Sequence, residues 1–110
     1  MKEKYPIYVA WSETLDWILD RTERFPKSVR FSLAGRIAAL ALDVMERIVE
    51  AIYNRRRAHI IRQLNLDLEK LRVLLGISYR RRYISSRQYA YISTKIDETG
   101  KMAGGWTKQR

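Results

Sequence analysis

Apolar residues recur three and four positions apart in four successive stretches, and this rhythm constrains the fold more than any other feature of the chain. Tyr8, Trp11, Leu15 and Ile18 step by three, four and three, one stripe of a bundle helix. Pro6 fits the first turn, where its missing N–H costs nothing. Pro26 pushes Phe25 out of the helical region, so the first helix fades before it. Leu33, Ile37, Ala41, Val44, Ile48 and Ile52 hold one face of a second helix, and Leu40, Met45 and Ala51 widen it into the most buried of the set. Ile61, Leu64, Leu68, Leu71 and Leu75 mark a third helix, and Tyr89, Ile92, Ile96 and Ala103 a fourth. Ser85 and Gln88 have the spacing of a capping box. Gly104-Gly105 reads as a stop, with Trp106 folding back on the last turn. The pattern predicts helices over about 6–22, 26–54, 58–81 and 86–104 in one domain, 1–110. Four amphipathic segments with short joints predict an all-α, antiparallel up-down-up-down four-helix bundle.

Several function classes lose their material at once. Cys is absent, which removes disulfides, thiolate metal sites and cysteine nucleophiles. A single His, His59, leaves nothing for a zinc site or a His-based triad and reads as a surface or phosphate-neighbouring residue. The expectation is a protein with no catalytic residues, no metal and no cofactor. Asp97-Glu98 point about 100° apart on a helix, so they read as partners of cations on a neighbouring helix or protomer rather than as an acid/base pair. The longest apolar run, Ile37 to Leu42, falls far short of the roughly 20 residues of a membrane span. The first residues lack the apolar stretch of an export signal, so the expected compartment is the cytoplasm. Gly100 and Gly104 have the small-xxx-small spacing that permits close helix contact. Trp11, Trp17 and Trp106 exceed what a core of this size easily hides, and Trp17 lies off the first stripe, at a candidate interface.

The net charge of +10 is unevenly placed. Residues 1–52 carry 8 basic and 8 acidic side chains, whereas residues 53–87 carry 10 basic and only 2 acidic. Two Arg triplets, Arg55-Arg56-Arg57 and Arg80-Arg81-Arg82, bracket the third helix, and Arg62 and Arg87 add to them. Guanidinium forks suit bidentate phosphate contacts. Tyr53, Tyr79, Tyr83, Tyr89 and Tyr91 lie among or just after these cations, as faces on which exposed bases can stack. Arg80 to Arg82 also complement a helix C-terminus and help solvate a bundle. That plainer reading does not cover Arg55 to Arg57, at the junction of two helices, nor a neutral first half. The eight arginines are the candidate nucleic-acid-binding residues.

The segment Phe25-Pro26-Lys27-Ser28-Val29-Arg30-Phe31 resembles two related groups of small bundle proteins. One is encoded within insertions of bacterial large-subunit ribosomal RNA; the other comprises the Avd accessory proteins of diversity-generating retroelements. Tyr83-Ile84-Ser85-Ser86-Arg87-Gln88-Tyr89, followed by Ile96-Asp97-Glu98-Thr99-Gly100-Lys101-Met102-Ala103-Gly104-Gly105-Trp106, is similar to the Avd side. The resemblance spans residues 25 to 108 in order and spacing. It implies a bundle protomer that assembles into a homopentameric, barrel-like ring. It also implies binding of RNA or DNA and of a retroelement reverse transcriptase, in support of mutagenic cDNA synthesis and retrohoming. The loop between the second and third helices varies most in the family, so the arginines are assigned from this sequence and not by motif.

The leading expectation is thus a non-catalytic accessory subunit that binds nucleic acid and a reverse transcriptase, with no membrane partner. The alternative is a bundle protein linked to ribosomal RNA intervening sequences, with a structural or unknown role. A basic adaptor for an acidic protein partner is a third reading.

Overall fold

A computed structural model describes residues 2–107. Among them are four α-helices and no strand: α1 (Pro6–Thr22), α2 (Gly35–Ile52), α3 (Ala58–Arg80) and α4 (Ser86–Thr107). Helix α1 packs on α2 and α4, and α3 packs on the same two, which makes a four-helix bundle. Short joints of residues 53–57 and 81–85 force α2, α3 and α4 to alternate in direction. Tyr5, before α1, lies 5.6 Å from Trp106 at the end of α4, so these two helices are antiparallel as well. The described residues fill 44 × 24 × 22 Å, with the helices along the long direction.

The apolar stripes meet at the centre. Trp11, Ile37, Ala41, Val44, Ile48, Leu64, Leu71, Ile92 and Ile96 are fully buried. The Trp11 indole crosses from α1 to donate to the Ala41 carbonyl at 2.9 Å, which fixes the height of α1 against α2. The second helix does not contribute more than the third. Leu40 and Met45 stay half-buried and Leu42 is exposed, whereas Ile61, Leu64, Leu68, Leu71 and Leu75 of α3 are all buried. Trp11 and Trp106 both disappear into the protomer, so the three tryptophans are not a surplus. Trp17 is half-buried 5.3 Å from the Tyr91 ring, so much of it is used within the chain itself.

Two segments depart from the periodic reading. The second helix does not run straight on from Pro26. A 3₁₀ turn (Lys27–Val29) and a π-helical turn (Arg30–Ala34) precede α2. The wide turn tucks Ala34 into the core and leaves Phe31 93% exposed. At the other end of the chain, Gly104-Gly105 does not stop α4, which continues to Thr107 with neither glycine at positive φ. Each glycine costs a helix about 1 kcal/mol. Burial of the Trp106 indole on the same helix offsets this, because fully burying a large side chain is worth about 1.5–3 kcal/mol. The start of α4 is sharply specified: the Ser85 amide donates to Gln88 Oε1 at 2.8 Å and the Gln88 amide to Ser85 Oγ at 3.1 Å.

No helix among the described residues is long and apolar enough to cross a membrane.

Candidate nucleic-acid interface

Helix α3 spaces the two Arg triplets by its whole length, about 33 Å at 1.5 Å per residue. The eight candidate arginines therefore form two sites at opposite ends of the bundle rather than one surface.

At the first pole, Asn54 ends α2 by donating from Nδ2 to the Glu50 carbonyl at 2.8 Å, and Arg57 Nε donates to the Asn54 carbonyl at 3.1 Å. The Arg57 guanidinium then lies over the Trp106 ring, which joins this loop to the end of α4. Arg55, Arg56, His59 and Arg62 are exposed. Together with Arg57 they line a hollow of about 400 Å³. No side chain caps the first turn of α3 and no acidic residue lies in it, so its free amides add positive potential to that of the arginines. Lys2 and Lys4 come to the same pole through the contact of Tyr5 with Trp106. Tyr53 is the exposed ring here, at 67%.

At the second pole, α3 closes through the Arg82 amide on the Tyr79 carbonyl (2.9 Å) and the Tyr83 amide on the Ser78 carbonyl (2.8 Å). This is the Schellman arrangement, which places Arg82 at φ 65°, in the left-handed region where glycine is usual. Arg80, Arg81, Arg82 and Arg87 are all exposed. Arg81 Nε donates to the Tyr83 hydroxyl at 3.2 Å, and this hydrogen bond holds the guanidinium above its ordinary pKa. Phe25 packs 5.4 Å from Tyr83 and so brings Lys27, Arg30 and Phe31 to the same end.

The five tyrosines divide. Tyr83 is half-buried against Phe25, and Tyr89 is half-buried and stacked on Tyr79 at 4.8 Å. Tyr91 packs on Trp17 along the side of the bundle. Only Tyr53 and Tyr79 keep open faces beside the arginines, and Phe31, which a search confined to tyrosines misses, joins Tyr79. Charge counting along the chain also misses Lys2, Lys4, Lys27 and Arg30, because they lie in the charge-balanced half of the sequence. The signal that finds them is the up-down order itself, which returns the chain to the same two ends at every joint.

Between the poles three cations are held by carboxylates, while Lys70 and Lys101 are exposed and, among the described residues, in no ion pair. Arg72 binds both Glu69, at 3.2 Å, and Asp97 on α4, whose hydrogen bond is the chief cause of its raised pKa. Lys95 faces Glu98 at 3.7 Å, and Arg47 bridges Glu50 (3.2 Å) and the buried Asp67 (3.6 Å). None of these ion pairs involves a cation of either pole. Gly100 and Gly104 face open space, since a Cβ added at either would meet nothing within 4 Å, so they support no close helix contact inside the protomer.

A comparison with curated proteins finds no match. Among models of protein families, one described as bAvd-like matches residues 3–110. That span covers both polar arginine clusters, the Phe25–Phe31 lead-in and the Gly-Gly-Trp helix end. The chain is a member of the bAvd-like family.

Proposed function

We propose that this protein is a non-catalytic accessory subunit of a diversity-generating retroelement, acting in the cytoplasm, that holds RNA or DNA and the retroelement reverse transcriptase for mutagenic cDNA synthesis. Family membership supports the accessory role. The observation that carries nucleic-acid binding is the pairing, at each end of the bundle, of exposed guanidinium groups with an exposed aromatic ring. Among the described residues, no carboxylate pairs with these guanidinium groups. Phosphate contacts supply affinity, and base stacking on a flat ring adds a sequence-tolerant increment.

The polymerase contact falls on a different face. Glu13, Asp16, Asp20 and Glu23 are all exposed and step by three, four and three, an acidic stripe along the outside of α1 that ends on its C-cap residue, Glu23. A homopentamer completes the proposal. Leu42, Leu66 and Val73 are exposed on α2 and α3, beside a groove of about 530 Å³ lined by Ala39, Leu40, Val73 and Leu74 together with Arg36, Glu69 and Lys70, a largely apolar face suited to a neighbouring protomer.

The test is co-purification with the reverse transcriptase, alongside RNA binding over a salt series. Reversing the four α1 acids is expected to remove the polymerase and spare RNA. Neutralising the polar arginines is expected to weaken RNA binding and flatten its salt slope by roughly one unit per lost phosphate contact. RNA affinity that does not change with salt overturns the phosphate-binding reading. Light scattering that gives a monomer at micromolar concentration overturns the ring.

A further inference from the structure

We infer that each protomer binds two separate nucleic-acid strands at once, one at each pole, and that the protein therefore bridges strands. This rests on the nucleic-acid binding proposed above and adds an activity to it.

Three observations carry the inference. The first is distance. The poles are about 33 Å apart along α3. The Debye length at physiological salt is about 8 Å, so neither pole feels the ligand of the other. The second is that each pole is equipped to hold a strand alone. One has Arg55, Arg56 and Arg62 with Tyr53; the other has Arg80, Arg82 and Arg87 with Phe31 and Tyr79. The third is the surface between them. A single strand running from pole to pole would follow α3 and α4, where exposed Glu69, Asp97 and Glu98 hold Arg72 and Lys95. The cations of this stretch, including Lys70 and Lys101, which are unpaired among the described residues, are matched in number by carboxylates, so it carries no net charge. A continuous track for one strand would need a net excess of cations there. The charge pattern instead ends one strand's contacts before the other's begin. In an oligomer whose protomers lie side by side and parallel, the pattern repeats as two basic rims separated by a neutral belt, and each rim gathers weak contacts through effective concentration.

Bridging is read by immobilising one RNA on beads, adding the protein, and measuring retention of a second, labelled RNA with no complementarity to the first. Both oligonucleotides are about four nucleotides long, ~14 Å when stacked, so that even unstacked they span less than the roughly 33 Å between the poles. The wild-type protein is expected to retain the second RNA. One variant carries Arg55→Gln, Arg56→Gln and Arg62→Gln; the other carries Arg80→Gln, Arg82→Gln and Arg87→Gln. Each is expected to keep binding the immobilised RNA through its intact pole, yet to bind at saturation about half as many short RNAs per protomer as the wild type. All six positions are exposed, and circular dichroism checks that helix content is unchanged.

Wild-type protein that binds the immobilised RNA but retains no second RNA overturns bridging and leaves nucleic-acid binding standing. A variant that binds as many short RNAs per protomer as the wild type overturns it as well, because one pole then suffices. If both variants lose the immobilised RNA together, the poles serve one strand and the inference is wrong. Wild-type protein that binds no RNA at all sinks the underlying reading and bridging with it.

Discussion

The Arg57 guanidinium rests 4.9 Å from the centroid of the Trp106 indole. It is thus tied down in a way that Arg55 and Arg56, its neighbours in the same triplet, are not. Adjacent arginines in one run have different work: Arg57 holds the end of α4 to the loop before α3, and the other two face solvent. Arg57→Gln is expected to cost about 0.5–1 kcal/mol of stability, the worth of an exposed cation–π contact. Arg55→Gln and Arg56→Gln should leave stability within about 0.5 kcal/mol of wild type and weaken RNA binding more than Arg57→Gln does. Urea melts and a salt-controlled binding series on the three single variants check this.

Arg82 stands where a helix C-terminus ordinarily has glycine, and a non-glycine residue in the left-handed region costs roughly 1–2 kcal/mol. Arg82→Gly is therefore expected to stabilise the protein by about 1 kcal/mol while reducing RNA affinity. Arg80→Gly, on the helix itself, should lose both. Opposite signs for stability in these two variants, measured by chemical denaturation, are the expected outcome.

Asp67 is 3% exposed, and accepts from Gln63 Nε2 at 3.1 Å while Arg47 Nε lies 3.6 Å away. Arg47→Met strands a buried carboxylate. The expected cost is about 1–3 kcal/mol, towards the lower end because Arg47 is about a third exposed. Adding Asp67→Leu should recover most of it, since an apolar pair of similar volume often matches a buried ion pair. A double-mutant cycle in urea measures the recovery, and a purely additive loss would contradict this account.

The glycines of α4 and α2 should respond differently to alanine. A Cβ at Gly104 meets nothing within 4 Å, so Gly104→Ala is expected to stabilise by up to about 1 kcal/mol. A Cβ at Gly35 would lie 3.0 Å from the Arg30 carbonyl oxygen, and backbone gives way poorly. Gly35→Ala is expected to show none of that gain. Thermal melts of the two variants, compared at equal concentration, decide it.

Much of the bundle is legible in the sequence because its signals are local. Stripes at three and four positions mark the helices, and Ser85 and Gln88 announce the start of α4 within four residues of chain. Gly104-Gly105 misleads for the complementary reason. Intrinsic propensity says stop, but the partners that carry the helix onward, Tyr5 and Arg57, are distant in sequence. The π turn before α2 is likewise set by where Ala34 must lie in the core, which no local spacing reports. The candidate site follows the same division. The Arg triplets are visible as runs, whereas their separation, the employment of Tyr83, Tyr89 and Tyr91 in packing, and the recruitment of Lys27 and Arg30 all depend on which joints share an end.

The wide turn at Arg30–Ala34 also works as a phase adjuster between two parts of one continuous coil. An α-helix advances about 100° per residue, and a π turn holds one residue more than an α turn. Loss of a single codon there can be absorbed by a return to ordinary helical winding. One turn remains one turn after such a deletion, so Lys27 keeps its direction around the axis while Ile37, Ala41 and Val44 keep their places. Relatives can thus gain or lose one residue at this point without turning the basic lead-in away from its pole or redesigning the core beneath it.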